Sequence, residues 1–495
     1  MKKLELKLTK FSEVLQKEPD FDFVKKLIKK FPKSEIYLVG GASRDIILDR
    51  KTKDYDFVIR NVKLADLEEF LKTLGQVNLV GKTFGVLKFQ PEKSKLEAID
   101  IALPRTEHSI HLAGVYRDFK VQSDPQLPIE KDLERRDFTI NAMAFEIKNA
   151  KFVDPQNGLS DLAVKKIKAV GKPELRFKED YSRILRGLRF ATELDFEIED
   201  KTWLNMKKMV GYLNETAIPR EVMAKEIVKS FKANPVKTFD LFEISGVFRV
   251  LMPEVLAMKD CPQPKNFHSE GNVWNHTRLT LEKLGGSEFK KEFGCQEISE
   301  ELIFSSLFHD LGKPFTIQTP EKDGVPRIRF YEHDIKGAKI AQNICERLKL
   351  SSYQGKVKAE NIEWLVKNHM LFTRGTVLGM KNSTIEKYFF SKIYPSRDLL
   401  KLIFADIIST IHENGQPFLE NYQEAKIRIK EIEKIGYKDN EPKLLLNGQE
   451  IMKEFNFKSG PKIGELLKAL REEQLSGKIK KKQEALEFLK KYLKK

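Results

Sequence analysis

The sequence predicts an α+β protein of several domains, in which a mixed sheet with helices is followed by a helical remainder. Short apolar runs bounded by turn residues, such as those at 36–39 and 57–59, are typical of buried strands. From about residue 163 onward the chain reads as mostly helical. A length of 495 residues, of which 41% are hydrophobic, is ample for several cores.

Charge and cysteine usage narrow the class of protein. The chain carries 89 Lys and Arg against 73 Asp and Glu, a net charge of +16, which favours a polyanionic partner, although a generally basic proteome would also explain it. Cys261, Cys295 and Cys345 form no CxxC pair, which argues against a Cys-based zinc site and suits a reducing cytoplasm. Since no signal-peptide pattern or run of 18 apolar residues is evident, we expect no membrane span.

The stretch IYLVGGASRDIILDRKTKDYDFVI, residues 36–59, predicts a strand, a Gly-Gly turn, a short helix and a second strand. Gly40 and Gly41 have no side chains, so a ligand can approach the backbone closely there. A helix from about Ser43 would point free N–H groups at the turn, and Arg44 would add positive charge. Together these features predict a phosphate site.

Two carboxylates, Asp54 and Asp56, lead into the second strand. Residues two apart on a strand share a face, so we expect both side chains to point the same way. Adjacent carboxylates repel each other unless a cation lies between them, and hard oxygen ligands favour Mg²⁺. The pair therefore predicts metal-assisted phosphoryl or nucleotidyl transfer; the alternative is a solvated loop.

The next segments complete the predicted sheet. We expect a helix near 64–74, a turn-rich hairpin at 81–89 and a strand at 96–103, which carries Asp100 among apolar neighbours. A carboxylate in such a strand is costly unless it meets a cation or hydrogen bonds, so Asp100 is a candidate third metal ligand. The alternative is an edge strand with Asp100 facing water.

A loop-like region at 104–131 follows, in which His108 and His111 have no acidic or cysteine partners and are expected at the surface or near substrate. After it, Arg135 and Arg136 could clamp phosphates in a bidentate manner. Asp137, which comes next, could accept a hydrogen bond from a sugar hydroxyl. A cluster of ion pairs at a helix end is the alternative interpretation of these three charged residues.

A helix near residue 180 carries Arg183, Arg186 and Arg189 at intervals of three, which places them along one side. Asp180 lies three residues before Arg183, and we expect it in the same row. A carboxylate and a guanidinium together offer acceptors and donors that can match the edge of a nucleobase. A salt-bridged, solvent-exposed helix would have the same pattern.

The second half contains a set of histidines and carboxylates at intervals typical of a metal site. Four of the protein's eight histidines belong to it. Imidazoles with carboxylates suit a transition metal or Mg²⁺. Lys313, just beyond His309 and Asp310, could contact phosphate. The residues are His276, His309, Asp310, His333, His369 and Asp406.

Four motifs, GGASRD, KDYDFVI, ERRDFTINAMAF and EDYSRILRGLRF, occur in the order and approximate spacing of the class II tRNA nucleotidyltransferase/poly(A) polymerase family. The resemblance covers roughly residues 35 to 235 and is closest to bacterial CCA-adding enzymes. It implies a polymerase-β-like nucleotidyltransferase head, a helical neck, an HD domain and a tail. The expected boundaries are 1–34 for a helical lead-in, 35–162 for the head, 163–250 for the neck, 251–412 for the HD domain and 413–495 for a helical, basic tail.

The resemblance also implies roles for individual residues of the head and neck. Asp54 and Asp56 would hold Mg²⁺, and Asp100 would be the third carboxylate and the base towards the RNA 3′-hydroxyl. The triphosphate would be bound by Gly40, Gly41, Arg44 and Arg136, with support from Arg186 and Arg189. Asp137 would contact the ribose, while Asp180 and Arg183 would pair with C or A as a protein template. Ser43 departs from the family, which usually has an apolar residue there.

The implied activity is transfer of CMP, CMP and AMP from CTP and ATP to the 3′ end of tRNA. A poly(A) polymerase and an A-only or CC-only enzyme share these motifs and remain alternatives, although residues 104–120 resemble the flexible loop that a CC-only enzyme is expected to lack. Another alternative, of a different class, is an HD metallophosphohydrolase whose head only binds RNA.

The HD resemblance, which rests on the adjacent His309 and Asp310, implies a core metal set of His276, His309, Asp310 and Asp406. His333 and His369 are then available for a second ion. If the domain is active, hydrolysis of phosphomonoesters or 2′,3′-cyclic phosphates is implied, and a retired domain that only supports tRNA is the alternative. In the tail, GPKIG predicts the start of an amphipathic helix near residue 461. Its basic face is expected either to be solvated or to contact tRNA directly.

Overall fold

The computed structural model describes residues 19–52, 54–80, 85–92, 94, 98–109, 119–215, 218–372, 379–438 and 441–493. The chain divides into two compact units, Met1–Leu251 and Met252–Lys495, and each is described by itself. In the described residues, no helix is both long enough and apolar enough to cross a membrane.

The first unit is built on a mixed seven-stranded sheet with the order β3-β4-β5-β2-β1-β8-β9, as expected. Neighbouring strands are antiparallel except β2 and β5, which run parallel. The strands are β1 (Glu35–Val39), β2 (Asp56–Arg60), β3 (Gly75–Val80), β4 (Val86–Pro91), β5 (Ile99–Ala102), β8 (Ala144–Glu146) and β9 (Lys151–Val153).

Both faces of the central strands are buried, which explains why they read as continuous apolar runs rather than alternating ones. Ile36 and Leu38 of β1 belong to one core cluster, together with Phe57 of β2. Tyr37 and Val39 belong to a second cluster on the opposite face. Polar side chains at the ends of these strands therefore lie beside two packed cores, which hold them in place.

The segment after β5 is not a loop, so the expectation for 104–131 is wrong in part. Residues Arg105–Ser109 (β6) and Phe119–Ser123 (β7) pair as an antiparallel hairpin, in which Arg105 lies opposite Ser123. Short polar strands of this kind lack the apolar alternation that sequence analysis depends on. His108 lies on β6, while His111 and the rest of 110–118 lie outside the described residues.

Helices surround the sheet and form the remainder of the first unit. In chain order they are α1 (Asp22–Lys30), α2 (Gly41–Ile47), α3 (Leu64–Lys72), α4 (Ile129–Glu134), α5 (Gly158–Ala163), α6 (Pro173–Glu179), α7 (Ser182–Leu194), α8 (Asp200–Met209), α9 (Tyr212–Glu215), α10 (Arg220–Ala233), α11 (Pro235–Ser245) and α12 (Val247–Leu251). Two short strands, β10 (Lys166–Ile167) and β11 (Glu197–Ile198), pair in parallel.

The second unit is mainly helical, as expected. Its helices are α13 (Pro253–Leu256), α14 (Val273–Lys283), α15 (Ser287–Phe293), α16 (Glu300–Phe308), α17 (Pro320–Asp323), α18 (His333–Arg347), α19 (Ala359–Asn368), α20 (Asn382–Phe389), α21 (Ser396–Ile407), α22 (Glu420–Gly436), α23 (Gly448–Phe455), α24 (Pro461–Leu475) and α25 (Lys482–Tyr492). Asn272 and Ser299 cap α14 and α16 by accepting hydrogen bonds from backbone N–H groups in the first turn. Two antiparallel pairs complete the unit: β12 (Ile317–Gln318) with β13 (Arg329–Phe330), and β14 (Tyr437–Lys438) with β15 (Glu441–Pro442).

Candidate functional site

The carboxylates of the first unit meet across two strands rather than along one. Asp56 is the first residue of β2 and lies in parallel register with Asp100 of β5. Both residues alternate with core residues, so their side chains share a face of the sheet. Asp54 precedes the strand, so the strand period does not apply to it, and the expectation that it shares a face with Asp56 stays a prediction. It nevertheless lines the same cleft as the other two carboxylates.

Negative charge accumulates at this position. Burial raises the pKa of Asp56 to about 6, and the charges of Asp100 and Asp54 add to the effect, although Arg136 opposes it. Lys88 Nζ lies 3.6 Å from Asp100 Oδ1 and partly offsets the charge. A carboxylate whose burial opposes its ionisation, placed beside two further carboxylates, fits a hard divalent cation. In the part of the chain that the structure describes, however, the oxygen atoms of these three carboxylates do not all lie within 4.8 Å of one another.

The Gly-Gly turn brings the backbone against this cluster. Gly40 has a φ of +71°, and a Cβ there would lie 3.1 Å from Arg136 Nη1 and 3.2 Å from Asp56 Oδ2. Only glycine fits that conformation and that space without strain. The following helix, α2, begins at Gly41, two residues earlier than expected. Gly40, Arg136 and Asp56 therefore lie in direct proximity, as a site for a metal and a triphosphate requires.

Arg44 is fixed before any ligand binds. It is 7% exposed, donates to Asp45 Oδ1 at 2.9 Å and to Asn141 Oδ1 at 2.9 Å, and lines the cleft. Ser43 faces the other way, since its hydroxyl donates to the carbonyl oxygen of Leu38 at 2.9 Å. The hydroxyl of Ser43, where the family usually has an apolar residue, thus has a hydrogen-bond partner within the protein. Asn141 is a site residue that the sequence analysis did not single out.

Asp137 is fully engaged by the protein, which changes its expected role. One oxygen accepts Nε and Nη2 of Arg186 at 2.9 and 2.6 Å. The other accepts the backbone N–H of Phe138 at 2.8 Å and Nδ2 of Asn141 at 3.3 Å. These four contacts use the acceptor capacity of a carboxylate. Contact with a ribose would require exchange of a partner, so the geometry favours Asp137 as the residue that holds Arg186.

The Asp137–Arg186 pair is expected to give the protein a defined acid sensitivity. Although burial opposes ionisation, the charge and hydrogen bonds of Arg186 hold the pKa of Asp137 well below its usual range. Because this pKa is depressed by folding, the stabilisation is fully present above the unfolded value of about 3.9 and is lost as the pH falls. Asp137→Asn is therefore expected to lower stability by about 3 kcal/mol at pH 7 and by progressively less below pH 4.

Thermal unfolding of both proteins at pH 7, 5, 4 and 3 measures this difference. Asp195→Asn is the matched control, because Asp195 pairs with Lys237 at 2.6 Å but its side chain is 85% exposed. We expect little change in melting temperature from that substitution at any of these pH values. A difference between wild type and Asp137→Asn that stays constant from pH 7 to pH 3 would contradict the assigned pair.

Asp180 and Arg183 both line the cleft but are not in one helical row. Helix α7 begins at Ser182, and Asp180 precedes it in an extended conformation. Its carboxylate accepts from the backbone N–H and the hydroxyl of Ser182 at 2.9 and 2.6 Å. Arg183 donates to Glu179 at 2.6 Å and to the carbonyl oxygen of Arg135 at 3.3 Å. Contacts within the protein thus restrict the orientation that each side chain presents to the cleft.

Three guanidinium groups converge on one aromatic ring. Arg44, Arg186 and Arg189 place Cζ at 5.2, 5.7 and 4.2 Å from the centroid of Phe190, which is 4% exposed. Arg189 also pairs with Glu226 at 2.5 Å and Glu193 at 2.7 Å. The ring attracts each cation through its π face, which offsets part of the repulsion among these like charges. Phe190 and Glu226 were not singled out from the sequence.

All the predicted residues of the head and neck border one cleft of about 1190 Å³ within the first unit. It also includes Lys225 and Lys229 of α10, which were not predicted. The lining combines acidic and basic side chains. From the prediction, the cleft contains Gly40, Gly41, Arg44, Asp54, Asp56, Asp100, Arg136, Asp137, Asp180, Arg183, Arg186 and Arg189.

In the second unit, six predicted ligands form a buried cluster. His276 Nε2 lies 3.0 Å from Asp406 Oδ1 and 3.2 Å from His309 Nε2. Asp310 lies among the histidines, with Oδ2 3.4 Å from His309 Nε2 and Oδ1 3.5 and 3.8 Å from Nε2 of His333 and His369. The three distances from Asp310 are too long for ordinary hydrogen bonds. They are compatible with ions between the donors, and two triplets, His276/His309/Asp310 and Asp310/His333/His369, have their ligand atoms within 4.8 Å.

The other nitrogen of each imidazole has a fixed partner. Nδ1 of His309, His333 and His369 lies 2.8, 2.9 and 2.6 Å from the carbonyl oxygen of the residue three positions earlier. Nδ1 of His276 lies 2.9 Å from Glu270 Oε1. A proton on each Nδ1 leaves the Nε2 lone pair directed into the cluster, which is the arrangement of metal-binding histidines. Glu270 precedes α14 and was not predicted.

Asp310 is held as an anion. Burial opposes its ionisation, but the ammonium group of Lys313, 2.6 Å from Oδ2, and the nearby His309 hold the pKa of Asp310 well below its usual value. Burial also lowers the pKa of His333 to about 4, so that this imidazole is neutral at pH 7 and available as a ligand. The residues present thus fit divalent ions that accept nitrogen and oxygen donors.

Three models of known families match parts of the chain. Residues 36–168 match the Poly A polymerase head domain, and residues 272–412 match the HD domain. Residues 404–489 match a family described as tRNA nucleotidyltransferase domain 2, putative. The head match contains the carboxylates and the Gly-Gly turn, and the HD match contains all six residues of the buried cluster.

Curated relatives agree over most of the chain. A Multifunctional CCA protein of Neisseria meningitidis is 34% identical over 352 residues, which are 71% of this chain and 76% of that protein. The Multifunctional CCA protein of Mannheimia succiniciproducens is 33% identical over 361 residues, or 72% and 78% of the two chains. That of Nitrosococcus oceani is 31% identical over 353 residues, or 70% and 79%.

Solved structures share the fold. The Thermotoga maritima CCA-adding enzyme in complex with tRNA superposes with a TM-score of 0.58 at 21% identity, over 96% of each chain. The Bacillus stearothermophilus CCA-adding enzyme in complex with CTP gives 0.54 at 18% identity, over 96% of this chain and 98% of that one. Nucleotidyl transfer and the HD ligand set both indicate dependence on divalent metal ions. The chain belongs to the tRNA nucleotidyltransferase/poly(A) polymerase family, as one of its CCA-adding members with an HD domain.

Proposed function

We propose that this protein adds CMP, CMP and AMP, in that order, to the 3′ end of tRNA, using CTP and ATP and releasing pyrophosphate. The observation that carries the proposal is the single cleft in which Asp56 and Asp100 lie in register beside Gly40 and Arg136. Carboxylates for a metal and cations for a triphosphate are thereby placed next to each other, as nucleotidyl transfer requires.

Asp54, Asp56 and Asp100 would hold Mg²⁺, which when bound offsets charge on the triphosphate and on the attacking oxygen. The raised pKa of Asp56 supports this assignment, because a cation relieves the repulsion that opposes its ionisation. Mg²⁺ is favoured over softer ions because the ligands are all oxygen atoms. Asp100 accepts the proton of the RNA 3′-hydroxyl.

The arginines bind and orient the nucleotide. Arg44 and Arg136, together with the backbone at Gly40 and Gly41, bind the triphosphate, and Arg186 and Arg189 add positive charge. Asp180 and Arg183 present an acceptor and donors to the base. Their partners Ser182 and Glu179 hold them in place, which supports a template formed by protein side chains.

The HD cluster would act as a separate metal-dependent phosphohydrolase on phosphomonoesters or 2′,3′-cyclic phosphates. Because the two oxygens of Asp310 face different histidine pairs, His276, His309, Asp310 and Asp406 would hold one divalent transition-metal ion, and Asp310, His333 and His369 would hold a second. When bound, such ions polarise a phosphoryl oxygen as Lewis acids. Lys313 remains a candidate for phosphate contact, although in this structure its ammonium group pairs with Asp310.

We place the protein in the cytoplasm, where its tRNA substrate and both nucleotides occur together. The three cysteines support this location, since all are free thiols in the structure: Cys261 and Cys345 are buried and Cys295 is exposed. Free cysteines are typical of reducing compartments.

Extension of three tRNA substrates tests the proposal. They end before CCA, after C and after CC, and they receive CTP and ATP singly and together with Mg²⁺. We expect all three to grow to CCA and then stop, and we expect Asp54→Ala to abolish the growth. Addition of A to the CC-ending substrate alone would identify an A-adding enzyme, and long A tails a poly(A) polymerase. No extension by the wild type would refute nucleotidyl transfer and leave the HD cluster as the active site.

A further inference from the structure

Asp132 is a buried carboxylate behind the nucleotide cleft. It lies within α4, its side chain is 0% exposed, and it is not part of the cleft lining, whereas Arg135 and Arg136 are. A carboxylate so deeply buried is stable only if it is paired and hydrogen-bonded. Its partners therefore indicate what the residue does.

Two of those partners are the tandem arginines. Asp132 Oδ1 accepts Nε and Nη2 of Arg135 at 3.0 and 2.8 Å, and Oδ2 accepts Nη2 of Arg136 at 3.3 Å. The guanidinium groups thus share one carboxylate, and each side chain is less than one-fifth exposed. An arginine held through one edge keeps its other N–H groups directed elsewhere. For Arg136 that direction is the turn, where Nη1 lies close to Gly40.

The third partner belongs to the hairpin. The backbone N–H of Arg105, the first residue of β6, donates to Asp132 Oδ1 at 3.2 Å. On the other side, the carbonyl oxygen of Arg135 accepts Nη2 of Arg183 at 3.3 Å. A continuous series of contacts therefore runs from the hairpin through Asp132 and Arg135 to Arg183.

We infer that Asp132 is a positioning residue for nucleotide addition, which holds Arg136 at the triphosphate and connects the hairpin of β6 and β7 to the base-reading Arg183. The inference rests on the proposed function for its substrates. Asp132 itself touches no substrate and acts through the two arginines. Loss of its charge frees both guanidinium groups, so triphosphate affinity and base choice are expected to change together.

The first test compares Asp132→Asn with Glu146→Gln. Both replace a buried carboxylate of the same unit by its amide, but Glu146 contacts Asn149 and lies outside the cleft lining. Equilibrium binding of CTP and ATP is measured by titration, and melting temperature is measured in parallel. We expect Asp132→Asn to weaken binding of both nucleotides about tenfold, since charge-assisted hydrogen bonds to Arg136 are lost. Glu146→Gln is expected to bind as the wild type does.

The second test isolates the hairpin contact. Arg105→Pro removes the backbone donor at the first residue of a strand, where proline is tolerated, and Arg105→Ala removes only the side chain. With a CC-ending tRNA and equal CTP and ATP, we expect a several-fold lower ratio of AMP to CMP incorporation in Arg105→Pro than in Arg105→Ala. Asp132→Glu, which keeps the charge, is expected to restore nucleotide affinity at least in part.

Equal binding by Asp132→Asn and Glu146→Gln would overturn the inference, as would equal ratios for the two Arg105 variants. These failures are distinguishable from failure of the proposed function. If the wild type extends tRNA but the variants show no difference, only Asp132 is misassigned. If the wild type binds nucleotides without extending tRNA, the binding comparison still decides the role of Asp132.

Discussion

Replacement of Asp56 with asparagine is expected to lower the rate of CMP and AMP addition at least about a thousandfold. Asp56 lies opposite Asp100, and the amide would remove the negative charge that a divalent cation requires. Metal coordination at such a site contributes several kcal/mol to transition-state stabilisation, and each 1.4 kcal/mol corresponds to a factor of about ten in rate. Single-turnover extension of a CC-ending tRNA with ATP and Mg²⁺ measures the effect.

The same variant is not expected to lose stability. Folding raises the pKa of Asp56 to about 6, so above that pH the wild type carries a carboxylate whose ionisation its surroundings oppose. A carboxyl group whose pKa is raised by folding adds to stability only at pH values below that pKa. Removal of the Asp56 carboxylate is therefore expected to leave the melting temperature at pH 7.5 unchanged or higher. Asp124→Asn, at an exposed position outside the cleft lining, is the control for charge. A rate within tenfold of the wild type would contradict the role of Asp56.

Asp310→Asn is expected to remove both metal ions of the second unit. Its two oxygens face different histidine pairs, so one substitution affects both positions. Removal of a residue that only hydrogen-bonds a metal ligand lowers metal affinity roughly 10–100-fold, and loss of the Asp310 carboxylate should lower it further. After loading with Mn²⁺ or Co²⁺ and desalting, elemental analysis is expected to find two ions in the wild type and none in this variant.

His369→Ala separates the two positions, because it removes a ligand of only one histidine pair, and it is expected to retain one ion. The matched control is His412→Ala, since His412 belongs to the same unit but contacts the rings of Phe267 and Phe418 instead. It should keep both ions. Addition of AMP by Asp310→Asn should equal that of the wild type, because Asp310 is not part of the cleft. Unchanged metal content in Asp310→Asn would refute the bridging role.

The sheet and the carboxylates show what local pattern can and cannot predict. The apolar runs of β1 and β2 predicted strands because both faces of these strands are buried. Asp56 and Asp100 lie side by side because β2 and β5 are neighbours in the sheet. The 43 residues between them contain no pattern that predicts this pairing of strands. The expectation of a paired Asp54 and Asp56 extended the strand period to Asp54, which lies two residues before the strand begins.

The arginines show a second limit. Their spacing on α7 predicted that Arg183, Arg186 and Arg189 share a side of one helix. Their partners, such as Asp137 for Arg186 and Glu226 for Arg189, lie 49 and 37 residues away and are brought close only by packing. The hairpin of β6 and β7 was missed because polar strands show no apolar alternation. Asp132 could have been noticed only as an acid two residues before the motif that contains Arg135 and Arg136.

The HD cluster was the most predictable part of the molecule, because its residue types are rare in the chain and occur at family-like intervals. What could not be predicted is the hydrogen bonding of the second nitrogen of each ring. Three of these bonds return to the carbonyl three positions earlier, a geometry that depends on where α16, α18 and α19 begin or end. Glu270 was missed because it lies in the turn before α14, without a motif of its own.

These short-range bonds bear on how the second unit acquires its ions. The carbonyl oxygens that orient His309, His333 and His369 lie three residues before each ring, so the orientation of these rings is fixed by local structure. A cation bound in this cluster would meet rings that face inward. Selection among divalent ions therefore depends on donor type and spacing, and one ion can replace another without refolding of the domain.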